Sequence, residues 1–248
     1  MKTTFKRVTT GGALSALVLM VMVSPVGAIT TSRIVTGDSK SCVRIKTLAT
    51  ANEAKMNERL STMQLDFQKR LTNIASRHDT VDQKATVFRA ERSDKFDTKV
   101  AVLRNKADLT EAQLAAIDEF ETAIKTAEAT RETAVDTARA TYREALDKVV
   151  AEHQATLSDA AIVFQKAVKA AFTTAQANCG DTATVASLRA SIKTARDSFQ
   201  LTRKTEAVKS TIKQLADTRH QAVQTADAAF KKSVADAAAT LKTALETK

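Results

Sequence analysis

The 248-residue chain has no tryptophan, one tyrosine, one proline, two cysteines and five glycines. Three of those glycines and Pro25 fall within the first 28 residues, so beyond that point only Gly37 and Gly180 remain. Sandwiches, barrels and α/β folds need frequent tight turns and richer aromatic cores, and this composition excludes them. Also missing are a glycine-rich phosphate loop, a nucleophile elbow, and any HxxxH or ExxH metal spacing within one helix. Beyond residue 28 there is no long apolar run. The most apolar window, "AAIVFQKAVKAAF", carries two lysines, which argues against an inserting, pore-forming segment. What remains is a chain dominated by alanine, threonine, lysine and glutamate, a composition for long helices.

The first residues form a unit of their own. Lys2, Lys6 and Arg7 make a basic leader, Ala13 to Val23 is apolar, and Pro25 precedes the small-residue site Val26-Gly27-Ala28. This order predicts a secretory signal peptide over residues 1–28 with cleavage after Ala28. The alternative is retention as an uncleaved anchor, the one route by which a membrane would be a partner. Residues 29–40 read as a linker, and 41–248 as the structured part.

Apolar residues there recur at helical spacing. Met56, Leu60, Met63, Phe67, Leu71, Ile74, His78, Val81, Ala85, Phe88, Arg92, Phe96, Val100 and Leu103 step by three and four, averaging about 3.6. Regularity of this kind also speaks against disorder. A second stripe runs from Leu114 and Ile117 through Ile124, Ala134, Ala138, Tyr142, Leu146, Val149, Leu157, Ala160, Phe164 and Val168 to Ala171. A third runs from Val185, Leu188, Ile192, Ala195 and Phe199 to Val208, Ile212, Leu215, Val223, Ala226, Phe230, Val234, Ala237, Leu241 and Leu245. Asp108-Leu109 interrupts the first pattern, and Thr110 with Gln113 fits a capping box. Gly180 suits a left-handed helix end, with Asp181 or Thr182 capping the next helix. Thr80 with Gln83 also matches a capping box, which leaves a break near His78 open. The expected fold is all-α: an elongated up-down-up antiparallel bundle of three weakly supercoiled helices, about 41–106, 110–178 and 182–247.

This folding pattern gives the cysteines a reason. If the chain reverses at residues 107–109, position 42 meets a position near 178, because both helices rise ~1.5 Å per residue. Cys42 and Cys179 are therefore expected to form a disulfide, which an exported protein permits. Charge agrees with the same order of helices. Counting acids and bases gives about +6, −4 and +5 for the three segments, within a chain of net charge +10. An acidic helix between two basic ones matches neighbours that share flanking positions.

Candidate chemistry is sparse. His78 and His220 fall at one height with Tyr142 nearby, and Asp79 or Asp217 could complete a metal set, but a polar layer in the bundle is the simpler reading. No catalytic, cofactor-binding or metal-binding residues are assigned, and no cofactor is expected. Lys and Arg alternate with acids, as in "RAERSDKFDTK", and the phenylalanines lie on the core stripe, so nucleic acid is not an expected partner. An anionic envelope polymer or surface fits the basic first and third helices better. The stretch "TARATYREAL", residues 137–146, resembles uncharacterised exported alanine-rich helical proteins of small-genome bacteria. The resemblance implies an envelope location and carries over no functional residues. The sequence thus predicts an exported, non-enzymatic rod that serves as spacer, scaffold or protein-interaction surface in the cell envelope. The alternative is a basic binder of anionic polymers or unfolded clients. Its marked positions are Cys42, Cys179, Asp108, Leu109, Gly180 and Asp181.

Overall fold

The computed structural model describes residues 39–181 and 183–247, and in these there is no strand. The leader and the expected linker up to Asp38 lie outside the described residues. Helix α1 spans Ser39–Arg104, α2 Glu111–Ala177, α3 Thr184–Thr202 and α4 Glu206–Glu246. The protein is an elongated three-column bundle in which α3 and α4 together form the third column. At ~1.5 Å per residue the 66-residue α1 is about 100 Å long. It runs unbroken through His78, so no break occurs there.

The third column is not one helix. It stops at Thr202, and Arg203 to Thr205 separate it from α4. The cause lies in the phase of the apolar stripe. From Phe199 to Val208 is nine residues, about 900° of helical rotation or half a turn out of register. A continuous helix would place Val208 opposite the core. The break turns α4 so that Val208, Ile212 and Leu215 again face inward, half-buried.

The columns also meet differently from a closed bundle. α2 packs against α1 on one side and against α3 and α4 on the other, yet no Cα of α1 lies within 8 Å of a Cα of α3 or α4. A central helix with two neighbours buries a wider arc than a single stripe. Val135, Val150, Ala161 and Phe172 are accordingly buried, with Val149, Ala160 and Ala171 of the expected stripe half-buried beside them. Ala134 is exposed.

The core is divided. Near the base, Ile45 and Met56 of α1 join Phe164, Val168 and Phe172 of α2 and Leu188, Ile192 and Phe199 of α3. The Phe164 and Phe199 rings stack with centroids 5.6 Å apart. At the far tip a smaller knot joins Val100, Ile117 and Leu241, with Phe96, Leu103, Leu109, Phe120 and Leu245 packed on it. Between these clusters Ile74 is the one buried apolar residue of α1. Burying a Val, Leu, Ile or Phe side chain fully stabilises by roughly 1.5–3 kcal/mol, so α1 gains most at its two ends.

Candidate interaction surfaces

At the base, Cys42 and Cys179 are joined, with Cα atoms 5.2 Å apart and a sequence separation of 137. The Ser41 hydroxyl donates to the Cys179 carbonyl at 3.2 Å, fixing the start of α1 against the turn. The turn itself is built otherwise than the glycine suggests. α2 ends at Ala177, and its C-cap Asn178 has φ −116° and ψ 26°. Gly180 does not adopt a left-handed conformation, and a Cβ added there would meet nothing within 4 Å. Side chains close the turn instead. The Asp181 carboxylate accepts from the Ala183 N–H at 2.9 Å, and the Thr184 hydroxyl donates to the Asn178 carbonyl. Asp181 thus closes the turn ahead of α3 but does not cap the helix as expected. The N-cap is Ala183, which makes no side-chain cap bond, and Thr182 lies outside the described residues.

At the tip the special backbone belongs to Asp108, whose φ is 66°. Asparagine and aspartate tolerate this region better than most residues because their short polar side chains bond locally. The capping box is present: Thr110 accepts from the Gln113 N–H, and the Gln113 side chain accepts from the Thr110 N–H. Gln113 does more than the motif implies. Its Nε2 also donates to the Leu245 carbonyl at 3.2 Å, satisfying an end of α4 that has no intrahelical partner. Leu109 packs against the tip knot. It anchors the turn, and a charge there would disturb the fold as well as any contact.

Midway along the rod, charge holds α1 to α2. Arg89 donates to both carboxylate oxygens of Asp136 at 2.8 and 2.6 Å. Arg143 does the same to Asp82 at 2.7 and 2.8 Å. Arg92 reaches Glu128 and Glu132, Arg104 reaches Asp118 and Glu121, and Lys125 reaches Asp97. The hydrogen bonds from Arg143 and Arg89 hold the Asp82 and Asp136 carboxyls below the ordinary carboxylate range. The expected sense, bases of α1 on acids of α2, holds for Arg89, Arg92 and Arg104, whereas Arg143 and Lys125 of α2 pair with acids of α1 in the opposite sense.

The same stretch is open on its other flank. Phe88 and Phe230 stand about two turns apart. The Arg89–Asp136 pair sets Phe88, with Arg92 over its ring at 5.8 Å, beside Val135 of α2. Arg131 lies over Phe230 at 5.7 Å and pairs with Asp227, which sets Phe230 nearer Glu128 and the tip. The two rings do not close a core layer. Phe88 is 54 % exposed and Val81 47 %, because α1 stands away from α4. An apolar seam, edged by arginines, therefore runs between these two helices.

The histidines fall at a similar height, as the geometry predicts, but are not brought into contact by any bond of the described residues. The Arg143 guanidinium reaches the His78 carbonyl at 3.5 Å, and Arg219 stacks on the neighbouring Tyr142 at 4.6 Å, which brings residue 220 to that height. His220 is exposed. Among the described residues no group of three or more His, Cys, Asp or Glu side chains is placed to hold a metal. Burial, and next the Arg143 charge, lowers the His78 pKa, against the opposing pull of Asp147, Asp82 and Asp79. Burial alone lowers that of His153, whose Nε2 is enclosed without a hydrogen-bond partner. The sequence pattern assigns His153 no role, yet it stands four residues from both Val149 and Leu157, so the stripe itself carries the signal of its burial.

A last surface lies on the side of α2 and α3 away from α1. There the two helices diverge into a groove of about 1010 Å³, lined chiefly by alanine, serine and threonine with Val163, Phe164, Leu188 and Phe199. No helix in the described residues is long and apolar enough to cross a membrane. No family model, curated protein or solved structure matches the chain.

Proposed function

We propose that the protein is an exported, non-enzymatic rod that acts as a spacer, scaffold or protein-interaction surface in the cell envelope. The observation that carries this reading is the Cys42–Cys179 link, which joins residues 137 apart at one end of a rod of about 100 Å. Such a bond persists in oxidising compartments, and the basic-apolar-small order of residues 1–28 is what export requires. In this reading the tip is the working end, held away from whatever the N-terminal side attaches to. Exposed Ala107 at the Asp108 turn is the place to test it, since Leu109 belongs to the core.

A second reading has its own support. The open seam bearing Val81 and Phe88 suits a binder of unfolded clients better than a closed spacer does. One experiment separates these readings from a polyanion binder: co-sedimentation of the purified exported chain with envelope fragments. A tip interaction is lost in Ala107→Asp and survives raised salt. Loss in raised salt, with Ala107→Asp unaffected, identifies an anionic polymer instead. Suppressed aggregation of a denatured test protein, weakened by Phe88→Ser, identifies the client binder. Absence of the protein from exported fractions would overturn all three.

A further inference from the structure

We propose that the groove between α2 and α3 is a self-association surface, on which a second copy of this chain docks antiparallel. The face opposite the groove is already filled, since Ile45 and Met56 of α1 lie there against Phe164 and Phe199. On the groove side nothing in the described residues covers the floor, and Val163 stands 65 % exposed at its rim. Leu201, 62 % exposed, follows Ser198 and precedes Thr202, both of which line the groove. The Phe164–Phe199 stack puts Val163 and Leu201 at one level, toward the tip. The basal half of the groove has small side chains, among them Ala170, Thr174, Ser187 and Ser191, over a floor that includes Leu188.

This arrangement is complementary to itself. A two-fold axis near Thr194 carries Leu201 of one copy to Ser187 of the other, seven residues to either side. The same axis carries Val163 to the level of Thr174. Large side chains at one end then fill the space left by small ones at the other, in both copies at once, as an isologous contact requires. Charge favours the same partner. In a chain of net charge +10 two copies repel over most of their surface, but Asp181 is the sole charged residue lining the groove. The axis brings Asp181 between Lys204 and Lys209 of the second copy. Lys209 already pairs with its own Glu206 at 2.9 Å, so the attraction falls chiefly to Lys204. A parallel arrangement would set Asp181 against Asp181.

The test is the mass of the disulfide-bonded chain by light scattering after sizing, up to on the order of 100 μM. The expected result is twice the chain mass, with a melting temperature that rises with concentration. Ala170→Lys and Ser191→Lys both place a charge on exposed groove residues. Each is expected to give the single-chain mass with unchanged helical content. Zero-length carboxyl-to-amine cross-linking should join Asp181 to Lys204 or Lys209 in the dimer. Within one chain Asp181 and Lys204 lie about 30 Å apart along α3, too far for such a link. A single-chain mass for the unaltered protein would overturn the proposal. So would a dimer that survives both lysine substitutions, or one that lacks those links.

Discussion

Single residues in this protein have roles that their type disguises. Gly180 looks like the indispensable turn former, yet its backbone is not left-handed and a Cβ has room. Gly180→Ala should therefore raise stability by about 0.4–1 kcal/mol through a less flexible unfolded chain, read as a higher melting temperature. Asp108 holds the left-handed position instead. Asp108→Asn or Gly should be nearly neutral, whereas Asp108→Val should cost ~1–2 kcal/mol, because Cβ then crowds the carbonyl. His153 sets a different dependence. Burial keeps its folded pKa below the ordinary 6.5. Below that pH the unfolded chain binds a proton that the native chain refuses, so stability falls as pH drops from about 6.5 toward the folded value. Melting curves between about pH 7 and pH 5 should show this slope, and His153→Leu should reduce it, leaving the His78 share. A further loss is expected below about 3.8, as Asp82 and Asp136 take up protons and release their arginines.

At the scale of helices, α1 is the weakly held element. Its ends are seated in the two apolar clusters, while residues 64–95 rely on Ile74 and on partly exposed ion pairs. Such pairs contribute ~0–1 kcal/mol each and are screened by salt. Amide exchange across the middle of α1 should therefore be faster than across α2. In ~1 M salt it should accelerate by about 5-fold or more, with α2 little changed. If both helices respond alike, ion pairing does not hold α1. Much of this architecture is legible in the sequence. Helix existence, the Thr110–Gln113 cap and the Phe164–Phe199 level follow from spacing, because period and rise are properties of the backbone. The break at Arg203–Thr205 has a signal as well, in the half-turn phase slip between Phe199 and Val208. What spacing does not supply is how far apart two helices stand. Phe88 lies on the stripe in either case, and its exposure depends on α1 keeping its distance from α4, a matter of side-chain volume in three columns at once.

For the molecule as a whole, the Cys42–Cys179 bond decides how stability is distributed. Closing a loop of this size removes unfolded-state entropy worth at most ~4–5 kcal/mol. Reduction should therefore lower the melting temperature while helix content persists, since the basal cluster of Ile45, Phe164 and Phe199 does not depend on the bond. Loss of helix on reduction alone would mean that the cluster cannot seat α1 unaided. The bond also governs how the protein bears load. Tension applied between Ser39 at the base and Thr247 at the tip enters through Cys42 and crosses to Cys179. α2 and nearly all of α1 lie inside the closed loop and are shielded from stretching. Only the chain from Gly180 onward can extend, about 68 residues or roughly 230 Å when drawn out. The oxidised rod is thus a tether with a fixed stop, and reduction would release the other 137 residues as slack.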